Sequence, residues 1–113
     1  MNNMSPQLQN QIAQFQQVQQ QLQTVATQKM QMEAQKRELE RTKEELSKST
    51  GDVYKSVGSL LIKADNRETL LNEIEESMET MGIRIKALDR QEKGLREKFT
   101  SLQETINKQM GSQ

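Results

Sequence analysis

Twelve positions in the second half of the chain are spaced alternately by three and four residues: Leu71, Ile74, Met78, Met81, Ile85, Leu88, Glu92, Leu95, Phe99, Leu102, Ile106 and Gln109. All but Glu92 and Gln109 are apolar. A stripe that recurs every 3.5 residues on average stays on one side of a helix and must be covered by another helix, which makes this a coiled-coil seam more than five heptads long. The first half carries a weaker counterpart. Val18, Val25, Met32, Leu39 and Leu46 form one seven-residue series, and Leu8, Phe15 and Leu22 begin a second that Lys29, Lys36 and Lys43 continue. The lysine stems can lie along the seam with their ammonium groups reaching water, so this half is expected to be covered on one side only.

The ends of both helices are marked. Ser5 before Pro6 suits an N-cap and first turn, because the hydroxyl accepts an orphan amide and proline brings none. Lys48 and Gly51 suit a C-terminus near Ser49. Asp65 with Glu68 forms a capping-box pattern. Helix one is therefore expected over 6–49 and helix two over 66–110. Gly82 and Gly94 fall off the seam and are local soft points. Two helices of matched length on a short connector return on each other as an antiparallel hairpin. With Leu46 opposite Leu71, equal steps put Leu39 near Met78, Met32 near Ile85, Val25 near Glu92, Val18 near Phe99 and Phe15 near Leu102. A parallel coiled coil between two chains is the alternative, and it leaves the matched lengths unexplained.

The segment GDVYKSVGSLLIKAD, residues 51–65, breaks this pattern with two glycines, β-branched residues and the chain's single tyrosine. It reads as two short strands about Gly58 and Ser59, a pair suited to a type II′ turn, within a β-hairpin over 52–64. That register pairs Val57 with Leu60 and Lys55 with Ile62, and places Tyr54, Ser56, Leu61 and Lys63 on the other face. An ordinary loop is the alternative, but loops seldom carry so many β-branched and leucine residues. A two-stranded hairpin has two unpaired edges and little stability alone. The chain holds no third strand, so the neighbours are expected from other chains, burying Val53, Tyr54, Val57, Leu60, Leu61 and Ile62. The fold expected is mostly α: a long antiparallel two-helix coiled coil with a short β-hairpin at the connecting end, the hairpin contributing to an intersubunit β-barrel.

Composition removes most other functions. With 113 residues, 32% hydrophobic and 3% aromatic, the chain cannot build a thick core, which favours one elongated domain. Sixteen basic and sixteen acidic residues leave no net field for a polyanion. QKRELERTK is basic but interleaved with glutamate, so it reads as a solvated face and no nucleic-acid partner is expected. No cysteine and no histidine are present, and GDVYKSVG lacks the spacing of a phosphate loop. Glu44, Glu45, Glu75 and Glu76 lie on helix faces without a pocket to tune them. No enzyme activity, catalytic residue, metal or cofactor is expected. The longest aliphatic run is Leu60, Leu61 and Ile62, and the N-terminus lacks a signal-peptide core, so a soluble cytoplasmic protein without a membrane partner is expected.

A Gln-rich first helix, the segment DVYKSVGSLLIKAD and a second helix containing LDRQEKGLREKF together resemble the beta-class subunits of archaeal prefoldin over essentially the whole chain. The single hairpin is similar to the beta class; alpha-class members carry a second one. The resemblance implies a hetero-oligomeric chaperone: a hexamer of two alpha-class and four beta-class subunits, with a double β-barrel platform from which six coiled coils extend. It also implies partners, namely the alpha-class subunit, unfolded polypeptides held near the coil tips without nucleotide, and a group II chaperonin that receives them. A structural tether binding one helical partner is the competing function, and open strand edges have no evident use in it.

The chain's own residues point to the same end of the molecule. In an antiparallel hairpin the start of helix one meets the end of helix two, where a terminal turn has packing on one side only and opens most readily. Leu8, Ile12, Phe15, Phe99, Leu102, Ile106 and Met110 are the candidate client-binding residues, with Met1 and Met4 as adaptable additions. Closed seam packing is the alternative role for each. Thirteen glutamines between residues 7 and 35, interleaved with apolar residues at helical spacing, give helix one an uncharged polar face able to meet clients of either charge.

Overall fold

The Ser5 hydroxyl accepts the orphan Leu8 amide at 3.1 Å, and the Ser5 carbonyl accepts the Gln9 amide at 3.0 Å as the first bond of helix α1, which starts at Pro6. In this computed structural model, which describes residues 4–111, the order is α1 (Pro6–Lys48), β1 (Tyr54–Val57), β2 (Leu60–Lys63) and α2 (Arg67–Gly111). Two long helices thus flank a two-stranded antiparallel hairpin. The α2 cap differs from expectation by one residue: the Asn66 side-chain oxygen, not Asp65, accepts the Glu68 and Thr69 amides at 2.9 and 3.3 Å. Asp65 and Asn66 carry equally suitable acceptors, and the backbone path decides between them. Helix α1 ends at Lys48, where Ser49 Oγ donates to the Leu46 carbonyl at 3.1 Å.

The described residues fall into two compact units, one containing 4–30 and 86–111 and the other 31–85. In the first, the terminal unit, α1 and α2 run antiparallel around buried Leu8, Val18 and Val25. The rings of Phe15 and Phe99 stack with centroids 4.5 Å apart. Phe15 had been expected beside Leu102 and Phe99 beside Val18; the ring pair joins those two neighbouring layers. In the second, the hairpin unit, Leu46 and Ile74 are buried. A two-helix seam has solvent along both flanks, which is why so few side chains become fully covered.

Two of the three lysines of the weaker seam series end on carboxylates of the facing helix. In the terminal unit Lys29 Nζ lies 2.7 Å from Asp89 and 3.4 Å from Glu92, and Arg96 approaches the same Glu92 carboxylate at 3.8 Å. Glu92, expected opposite Val25, is only 15% exposed and is neutralised by these cations. In the hairpin unit Lys43 pairs with Glu75 at 3.0 Å, and Lys36 Nζ sits over the open backbone of Gly82. A charge three-quarters withdrawn from solvent needs a partner, and the facing helix supplies it.

Candidate assembly and client-binding sites

The hairpin is built from its turn outward. Gly58 has φ +58, and no other type of residue among those described takes positive φ, so Ser59 follows in the negative region as a type II′ turn requires. Pairing runs Val57 to Leu60, Ser56 to Leu61, Lys55 to Ile62 and Tyr54 to Lys63. The Ala64 amide donates to the Val53 carbonyl at 2.8 Å and closes the base. All eight strand residues are exposed. Tyr54 (57%), Val57 (47%), Leu60 (64%), Leu61 (74%) and Ile62 (49%) hold most of the large exposed apolar surface of the unit, while Val53 is half-buried. Apolar residues occur on both faces, with Val57, Leu60 and Ile62 on one and Tyr54 and Leu61 on the other. A monomeric surface rarely leaves such a cluster bare.

The contact that ties the connector before the hairpin to α2 was not foreseen from the sequence. Arg67, the first residue of α2, donates from one guanidinium nitrogen to the Leu46 carbonyl at 3.4 Å and to the Ser49 carbonyl, and from the other to the Gly51 carbonyl at 2.8 Å. Gly51 itself has φ +92, a backbone region that a side chain would strain. Two exposed ion pairs add little: Lys55 with Glu73 at 3.4 Å and Lys63 with Asp52 at 3.6 Å.

The candidate client residues are all in the terminal unit. Ile12, Phe15, Ile106 and Met110 line one open groove of about 440 Å³, rimmed by the amides of Gln16, Gln19, Gln103 and Asn107. Met110 is 58% exposed at its lip. Phe99 and Leu102 are half-buried, and Leu8 is 1% exposed, so it is covered rather than offered to a partner. Met4 is half-buried; Met1 lies outside the described residues. A second groove of about 480 Å³ is lined by Gln17, Gln20, Gln21, Thr24, Gln28 and Gln91, with Val25 and Leu95 also contributing. No charged side chain lines either groove. Among the described residues no cluster of acidic side chains is placed to hold a metal ion, and no helix is long and apolar enough to cross a membrane.

Comparison with known proteins agrees with this geometry. Residues 9–113 match the family described as prefoldin subunit. The chain belongs to the prefoldin subunit family. That family consists of chaperone components and is not one of enzymes. The crystal structure of the prefoldin beta subunit from Thermococcus strain KS-1 superposes with a TM-score of 0.84 at 35% identity, over 96% of each chain. The prefoldin beta2 subunit of the same strain shares the fold, with a TM-score of 0.71 at 23% identity over 80% of this chain and 97% of that one. The prefoldin beta subunit of Thermoplasma volcanium is 46% identical over 48 residues, which are 42% of this chain and 39% of the relative. That of Methanocella arvoryzae is 48% identical over 52 residues, 46% of this chain and 40% of the relative. Each of these two alignments therefore spans about two-fifths of the relative's length.

Proposed function

We propose that this chain is a beta-class subunit of a nucleotide-independent holding chaperone, joined to an alpha-class prefoldin subunit through its β-hairpin. The observation that carries the proposal is the hairpin itself: eight exposed strand residues, five large apolar side chains from Tyr54 to Ile62, and two edges with unpaired backbone groups. Edge pairing into an intersubunit β-barrel would satisfy the backbone and cover Val53, Tyr54, Val57, Leu60, Leu61 and Ile62 together. A hexamer of two alpha-class and four beta-class subunits, cytoplasmic and delivering clients to a group II chaperonin, is the assembly that family membership favours.

Client capture is assigned to the free end of the terminal unit. Ile12, Phe15, Ile106 and Met110 already line an accessible groove, whereas Leu8, Phe99 and Leu102 become available only as the last turns of the helices open. The uncharged amide rim lets the groove take clients of either sign. Replacing Gln16, Gln19 and Gln103 by glutamate should weaken capture of acidic clients; equal capture would remove this part of the proposal. The proposal as a whole is tested by mixing the chain with an alpha-class subunit and following light scattering of several unrelated, chemically unfolded proteins. Suppression of aggregation of all of them without nucleotide is expected. Suppression of none, with tight binding of a single helical partner, would make the chain a tether instead.

A further inference from the structure

Arg67 is a cation at the first position of a helix, the end where the helix dipole disfavours positive charge. Its side chain turns away from α2 and reaches the last carbonyls of α1 and the connector beyond them: Leu46, Ser49 and Gly51. There the preference reverses, because the end of a helix carries unpaired carbonyls and a negative partial charge. A local rule is broken at α2 to satisfy one at α1.

The consequence concerns the hairpin. No strand residue is buried, so packing against the helices cannot set its direction. Apart from the exposed Lys55–Glu73 ion pair, which adds little, direction is left to the two connectors, 49–53 and 64–66. The second is short and anchored by the Asn66 cap. The first contains Gly51 at φ +92, with open space around it, and is held through the carbonyls that Arg67 grips. We propose that Arg67 is a positioning residue for assembly: by tying the connector after α1 to the start of α2, its guanidinium fixes the angle at which the hairpin leaves the helices and so presents the strand edges to neighbouring subunits. This rests on the assembly proposed above. A planar fork with several donors can hold two carbonyls from different residues at once, which a lysine ammonium on a flexible stem does far less well.

The chain has no cysteine, so nitroxide labels at Ser56→Cys and Glu40→Cys report the hairpin's direction without interference. The wild-type arginine should give one narrow distance distribution, and Arg67→Ala a distribution about twice as broad. Association of the full chain with an alpha-class subunit should weaken about tenfold in Arg67→Ala through lost preorganisation, with Arg67→Lys between the two. Ile74→Ala serves as the control, since Ile74 is buried in the same unit and gives no carbonyl to the guanidinium. An unchanged distance distribution in Arg67→Ala would overturn the proposal, as would Ile74→Ala weakening association as much as Arg67→Ala at equal loss of melting temperature. Should the wild-type chain not join an alpha-class subunit at all, the assembly proposal fails, and the distance measurement still decides the part played by Arg67.

Discussion

Lys29 and the Phe15–Phe99 pair show how single residues hold the terminal unit. The hydrogen bond that Lys29 donates to Asp89 raises the lysine's pKa above the ordinary 10.5, helped by the charges of Asp89 and Glu92 and opposed by partial desolvation. A raised lysine pKa means that the folded state binds the proton more tightly, so the stabilisation is fully present below 10.5 and is lost as pH rises beyond it. The difference in melting temperature between wild type and Lys29→Met should therefore be constant through neutral pH and shrink in strong alkali; a constant difference at all pH values would contradict the pairing. For the stacked rings, a double-mutant cycle with Phe15→Ala and Phe99→Ala should give a coupling of about 0.5–1.5 kcal/mol in denaturant melts. Each single change should cost about 2–3 kcal/mol, below the range for fully buried phenylalanine because both rings are half-exposed.

Among the elements, the hairpin stands on its turn. Gly58 at φ +58 occupies a region in which a Cβ costs about 1–2 kcal/mol. With no packing to offset that strain, Gly58→Ala should speed amide exchange across β1 and β2 while leaving the helical circular dichroism of α1 and α2 unchanged. Helices α1 and α2 depend instead on their seam. Their exposed hydroxyls return to the carbonyl four residues back, as Thr24 does to Gln20 at 3.0 Å and Thr105 to Ser101 at 2.9 Å, so polar residues sit in these helices without seeking partners elsewhere.

For the molecule as a whole, surface left bare by the isolated chain should be covered on assembly. Amides of β1 and β2 should exchange rapidly in the isolated chain and become protected when an alpha-class subunit is added, with the melting temperature rising with partner concentration. Leu61, at 74% exposure, makes the cleanest substitution. Leu61→Glu should change the stability of the isolated chain by no more than about 0.5 kcal/mol yet abolish association, as read by native mass spectrometry.

The two helices and the hairpin were legible because each rests on local chemistry. Alternation of three and four from Leu71 to Ile106 can be satisfied only by a helix with a partner, Ser5 and Pro6 can start one, and Gly58 followed by Ser59 suits one tight turn. The pairing of Val57 with Leu60 follows from that turn alone. Contacts across the chain were not legible, since they depend on how far one helix slides past the other. Lys29 and Asp89, and likewise Lys43 and Glu75, are separated in sequence by whole heptads and a connector, and nothing local distinguishes a lysine that ends in water from one that meets a carboxylate. The same holds for Arg67. Its sequence neighbours make it an awkward helix start, and only the return of α2 beside the end of α1 gives its guanidinium carbonyls to hold, because an arginine's partners are set by what lies within its reach in space.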